Sequence, residues 1–131
     1  MGSQSINICG ISDRAAFENN AEFLAQLDAV EAIADDEIFS VLLSHRPEYF
    51  EKYTSYEVDL VLSGHAHGGQ WRIPFLLNGL YAPNQGLFPK YAGGRYDQDQ
   101  TTMIVSRGLA RESTPVPRIF NRPELVIIDI K

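Results

Sequence analysis

Three short apolar runs constrain this chain more than anything else in it. They are Ile-Asn-Ile-Cys-Gly-Ile at 6–11, Ile-Phe-Ser-Val-Leu-Leu at 38–43 and Val-Asp-Leu-Val-Leu at 58–62. The second and third are too short for lone helices and too apolar for exposed strands, so they read as buried strands, and the first as a short strand. Between the first and second, Asp13 is placed to cap a helix over 15–34, where Phe23, Leu27, Val30 and Ala34 recur at three- and four-residue intervals on one face. Between the second and third, Pro47 suits a first helical turn and opens a helix over 47–55 carrying Tyr49, Phe50 and Tyr53. Strands alternating with helices argue for parallel pairing in an α/β sheet, with ligands expected beyond the carboxyl ends of the strands.

Past Gly69 the pattern changes to short strand-like pieces at 70–73, 95–96, 102–105 and 125–130, divided by loops rich in Gly, Pro and Asn. This half is expected to form a β-meander against the first. No repeat, low-complexity tract or linker divides the 131 residues, which suit one modest domain.

Charge narrows the choice of partner. The formal net charge is −6, and Arg107, Arg111, Arg118 and Arg122 are scattered among apolar residues and prolines. A nucleic-acid surface draws its affinity from clustered Lys and Arg, so that class is excluded. Cys9 is the only cysteine and cannot form an intrachain disulfide. No apolar run approaches a membrane span, and Met1–Ser5 lacks the pattern of a signal peptide. Those five residues read as an expression remnant, with the natural start elsewhere.

The chemistry-bearing residues collect where the strands end. His45 follows the second strand by two residues, and the run Val-Leu-Ser-Gly-His-Ala-His-Gly-Gly at 61–69 delivers His65 and His67 just past the third. Residues i and i+2 of an extended segment point to one side, and neutral imidazole is the commonest protein ligand for transition metals. An isolated His-x-His is as often a surface or core pair. A third histidine at an equivalent strand end favours metal ligation, with carboxylates still needed for the harder ligand positions. Gly64, Gly68 and Gly69 allow the tight turn such a loop needs.

Weaker signals lie farther on. The segment after the metal loop carries Trp71, Phe75, Leu76 and Leu77, which either form an apolar lip or pack beneath the meander. Arg107, after an apolar strand, is placed to reach a phosphate or to pair with a carboxylate. Asn84, in a Pro-Asn-Gln-Gly turn, is explained by its own backbone bonding.

The runs Leu-Leu-Ser-His-Arg-Pro-Glu at 42–48 and Asp-Leu-Val-Leu-Ser-Gly-His-Ala-His-Gly-Gly-Gln at 59–70 resemble the C-terminal half of the calcineurin-like metallophosphoesterases. The likeness is greatest to a bacterial, membrane-associated branch. It continues through Gly-Leu-Tyr-Ala-Pro-Asn-Gln-Gly at 79–86, Phe-Pro-Lys-Tyr at 88–91, Val-Ser-Arg-Gly-Leu at 105–109 and Arg-Ile-Phe-Asn-Arg-Pro-Glu at 118–124.

By that resemblance residues 6–131 are the C-terminal half of an αββα sandwich, a βαβαβ unit followed by the meander. His45 and His65 would ligate one ion of a dinuclear manganese, iron or zinc centre and His67 the other, for attack of metal-activated hydroxide on a phosphoester. The family's D-x-H, G-D-x-x-D and G-N-H motifs, with their bridging aspartate and general acid, are absent; Asp13, followed by Arg14 and Ala15, cannot replace the first. The chain alone is therefore expected to be inactive, with an exposed sheet edge that recruits a second copy. Trp71, Phe75 and Arg107 become candidate contacts for a lipid-linked phosphoester or a membrane surface. The expected setting is bacterial, cytoplasmic or membrane-associated. The alternative is a non-catalytic metal-binding or structural half-domain.

Overall fold

The computed structural model describes residues 5–33, 37–109 and 117–130. Ala34, Arg111 and residues 1–4 of the expected remnant lie outside them.

The first strand, β1, spans Ile6–Gly10. The single helix expected over 15–34 is instead two elements. Asp13 accepts a hydrogen bond from the Ala15 N–H at 2.8 Å and starts one 3₁₀ turn, Arg14–Ala16. Helix α1, Asn20–Glu31, then starts afresh because Asn19, in extended conformation, accepts from the Glu22 N–H at 3.1 Å. Two side chains able to satisfy orphan N–H groups within six residues make a second start cheaper than an unbroken helix. Phe23, Leu27 and Val30 are buried on one face of α1 as expected.

Strand β2 is Phe39–Leu43. It leads through a 3₁₀ turn, Pro47–Tyr49, into a short α2, Phe50–Tyr53, and then β3, Leu60–Ser63. Two short strands, β4 (Tyr81–Ala82) and β5 (Gly86–Leu87), pair only with each other. The last two are β6, Gly94–Gln98, and β7, Thr101–Val105. The main sheet has the order β1-β2-β3-β7-β6; all neighbours are parallel except β6 with β7. The later strands thus extend the first sheet, with β7 docked beside β3.

Two expected strands are not formed among the described residues. The segment 70–73 supplies only bridge positions, Trp71 with Ile119 and Ile73 with Leu77. The apolar run 125–130 has no ladder partner, and its side chains are exposed. A strand exists only where another strand answers its N–H and C=O groups, and none lies opposite this run.

The pleat gives the sheet two unequal faces. Cys9, Leu42, Val61 and Met103 share one face, and the core there is completed by Phe23, Leu27, Val30, Phe50 and Tyr53. On the opposite face Ile6, Ile8, Phe39 and Leu43 are exposed. Parallel strands are normally covered on both faces, and here the second face is covered only around Val41 and Leu60.

Candidate metal centre

The three histidines stand beyond the carboxyl ends of β2 and β3, where the topology of a parallel sheet places ligands. The loop after β2 is fixed from beneath by Tyr53. Its buried hydroxyl donates to the Arg46 carbonyl at 2.8 Å and shares a 2.7 Å hydrogen bond with Ser44 Oγ. Burial raises the Tyr53 pKa far above its ordinary value, so this phenol stays a donor.

The loop after β3 is held in an unusual backbone. His65, His67, Gly68, Gly69 and Gln70 all have φ between 48° and 69°. Left-handed conformation is costly for residues with a Cβ, and here tertiary contacts enforce it. Gly69 lies against the backbone of Gly79, and the Asn121 amide donates to the carbonyls of His67 at 2.7 Å and Gln70 at 3.1 Å.

The result brings His65 Nδ1 to 3.0 Å from His45 Nε2. Opposite, His65 Nε2 lies 2.7 Å from the Asn84 side-chain oxygen, which also accepts from Arg46. Because the amide oxygen can only accept, the Nε2 carries the proton and the lone pair of His65 sits on Nδ1, facing His45. Two ligands of one ion at about 2.1 Å can be this close together. Burial and then the neighbouring His65 hold the His45 imidazole below its ordinary pKa, which favours its neutral form. Two imidazoles this close, one with its second nitrogen anchored to an oxygen, are a candidate donor pair for a divalent metal.

Asp13 completes the cluster in an unexpected way. Its carboxylate stands 3.9 Å from His45 Nε2 and 2.8 Å from the Arg46 guanidinium. Burial raises its pKa, but the Ala15 N–H and Arg46 outweigh that and hold the carboxyl below the usual range.

His67 does not join the pair; among the described residues no three His, Cys, Asp or Glu side chains converge on one ion position. Burial and then the Arg118 guanidinium keep His67 neutral. Arg107 is engaged with Glu124, its Nε donating to Oε2 at 2.7 Å, which realises the carboxylate-pairing alternative. Trp71 and Phe75 both lie exposed, with Phe75 at the tip of a tight hairpin closed by the Ile73 and Leu77 backbones.

Reading the sequence missed Asn84, Asp13 and Asn121 as members of this site. Nothing local betrays them, since they lie 19, 52 and 56 positions from His65 and are joined to it only by the fold. The nearest available signal was that Asn84 sits in a turn two residues past a strand.

No family model and no solved structure matches the chain. Curated proteins do. An uncharacterised metallophosphoesterase of Bacillus subtilis is 38% identical over 96 residues, covering 73% of this chain and 32% of that protein. One of Campylobacter jejuni is 32% identical over 126 residues, 96% of this chain and 32% of the relative. A UDP-2,3-diacylglucosamine pyrophosphatase of Chlamydia muridarum is 29% identical over 139 residues, 96% of this chain and 37% of that enzyme. The chain spans about a third of the length of these relatives. With named metallophosphoesterases matched across nearly all of it, the chain belongs to the metallophosphoesterases of the calcineurin-like superfamily.

Proposed function

We propose that the protein to which this chain belongs hydrolyses phosphoester bonds at a centre that His45, His65 and His67 help to build. The observation that carries the reading is the 3.0 Å approach of His45 Nε2 to His65 Nδ1, with the other nitrogen of His65 held by Asn84. Divalent metals at such a centre lower the pKa of bound water and neutralise charge on the phosphoryl oxygens. The chain's own residues orient the donors: Asn84 fixes the His65 tautomer, Arg46 fixes Asn84, and Tyr53 fixes the loop that carries His45. Imidazole accepts manganese, iron and zinc alike, so these three side chains do not select among them. His45 and His65 are assigned to one ion and His67 to a second.

The open sheet face, with Ile6, Ile8, Phe39 and Leu43 exposed, supports the reading that residues 6–131 are half of a larger two-layered domain. The carboxylate ligands and the general acid then belong to the other half, and this chain by itself does not turn over substrate. Without that half, the exposed apolar surface and the free edge of β1 favour pairing with a second copy.

For substrate we favour a lipid-linked phosphoester. Support comes from the exposed Trp71, Phe75 and Leu76 beside the centre's loop and from the diacylated substrate named for the Chlamydia relative. All the matched organisms named above are bacterial, and a bacterial cytoplasmic or membrane-associated setting agrees with them. Among the described residues no helix is long and apolar enough to cross a membrane.

Calorimetric titration of the chain with Mn²⁺ and Zn²⁺ tests the site. Binding that His45→Ala or His65→Ala abolishes is expected; binding unchanged in both variants overturns the assignment. Hydrolysis of an activated phosphodiester by the chain alone, at rates ordinary for an enzyme, would refute its dependence on a missing half.

A further inference from the structure

Behind the exposed hairpin lies a cavity of about 440 Å³, a volume within the range of small-molecule sites. Its lining is divided by chemistry. Arg72 and Arg107 supply two guanidinium groups, while Ile73, Phe75, Leu76 and Phe120 supply apolar surface. The Arg72 guanidinium and the Arg107 stem both lie over Gly93, where an added Cβ would stand 3.1 Å from Arg72 Nη1 and 3.0 Å from Arg107 Cγ.

The positive charge there is not fully compensated. Glu124 is committed to Arg107, and Arg72 forms no ion pair among the described residues. Arg72 Nη2 donates to Asn78 Oδ1 at 2.6 Å, but Nη1 is buried and makes no hydrogen bond among the described residues. Two guanidinium groups line the cavity and one carboxylate, Glu124, answers them, a local excess of positive charge in a chain whose net charge is −6. That excess favours an anion in this cavity.

The apolar side is presented rather than packed. Phe75 is fully exposed and Leu76 largely so, and Phe75 and Phe120 hold positive φ values of 66° and 51°. Side chains with a Cβ in that conformation, turned out to solvent, are disfavoured on both counts, and such features cluster at ligand sites.

From this juxtaposition of a guanidinium pair with an exposed apolar rim, we propose that the cavity binds an anionic amphiphile. Its phosphate lies on Arg72 and Arg107, and one acyl chain lies along Phe75, Leu76 and Phe120. The inference rests on the lipid-linked reading of the substrate given above, and it assigns that substrate a second contact away from the histidines.

Trp71, the only tryptophan, adjoins Arg72 and reports binding by its fluorescence. The chain would be titrated in EDTA with octyl phosphate below its critical micelle concentration, with inorganic phosphate and with neutral octyl glucoside. Octyl phosphate is expected to bind at least tenfold tighter than either. Arg72→Gln is expected to weaken it at least tenfold, and Phe75→Ser to weaken octyl phosphate but not inorganic phosphate. Arg72→Lys, which keeps the charge without the two-pronged donor, guards against a folding defect and is expected to lie between wild type and Arg72→Gln. Equal affinity for inorganic phosphate, equal affinity for octyl glucoside, or indifference to both Arg72→Gln and Phe75→Ser each overturns the proposal. EDTA removes metal from this assay, and His65→Ala is expected to leave it unchanged. A failure here is thus separate from a failure of the metal titration.

Discussion

His65 is held from both sides: one ring nitrogen faces His45 at 3.0 Å and the other meets Asn84 at 2.7 Å. An outer partner of this kind sets tautomer and ring orientation, and its loss commonly lowers metal affinity by about 10–100-fold. Asn84→Ala is therefore expected to weaken Zn²⁺ binding by about that factor in calorimetry while leaving the circular dichroism spectrum unchanged; full affinity in the variant would mean that Asn84 does not orient the ligand. Gly69 is a different kind of requirement. It combines φ of 69° with backbone contact to Gly79, so a methyl group is opposed by both conformation and space. Gly69→Ala is expected to cost about 2–4 kcal/mol in urea unfolding, from left-handed strain plus overpacking.

At the level of elements, the short α2 matters less for its own helicity than for the phenol it lowers onto the β2 loop. Tyr53 is fully buried and its hydroxyl serves both Ser44 and Arg46. Tyr53→Phe strands those two partners in the core, for an expected loss of about 1–3 kcal/mol. Thermal unfolding followed by circular dichroism measures it, and an unchanged midpoint would show that water replaces the phenol without penalty. Helix α1 depends instead on its first residue pair. Asn19→Ala removes the side-chain acceptor for the Glu22 N–H and is expected to cost about 1 kcal/mol, with the core face of Phe23, Leu27 and Val30 intact. A loss no larger than that of an exposed substitution such as Glu18→Ala would remove the capping role.

For the molecule as a whole, the partly bare sheet face is the dominant fact. Ile6, Ile8, Phe39 and Leu43 lie exposed on strands that ordinarily have both faces covered, and β1 leaves one edge unpaired. The chain is expected to self-associate, with weight-average mass in sedimentation equilibrium rising with concentration, and Ile8→Lys with Leu43→Lys is expected to return it toward the monomer. A constant monomer mass up to millimolar chain would contradict this. What the sequence determined by itself was local or periodic. Apolar runs of strand length, the helical spacing of Phe23, Leu27 and Val30, and the offset of His45 and His65 from the strand ends all follow from neighbours along the chain. The break between Ala16 and Asn20 was legible only in part, because Asp13 and Asn19 can both act as caps and each starts its own turn only if the fold has room for both. Tertiary structure alone decided that β7 docks beside β3, that the run 125–130 finds no partner, and that Asn84, Asp13 and Asn121 close on the histidine loops. Those are pairings between segments far apart in the chain, and their energies depend on which surfaces meet, a quantity that no short stretch of residues carries.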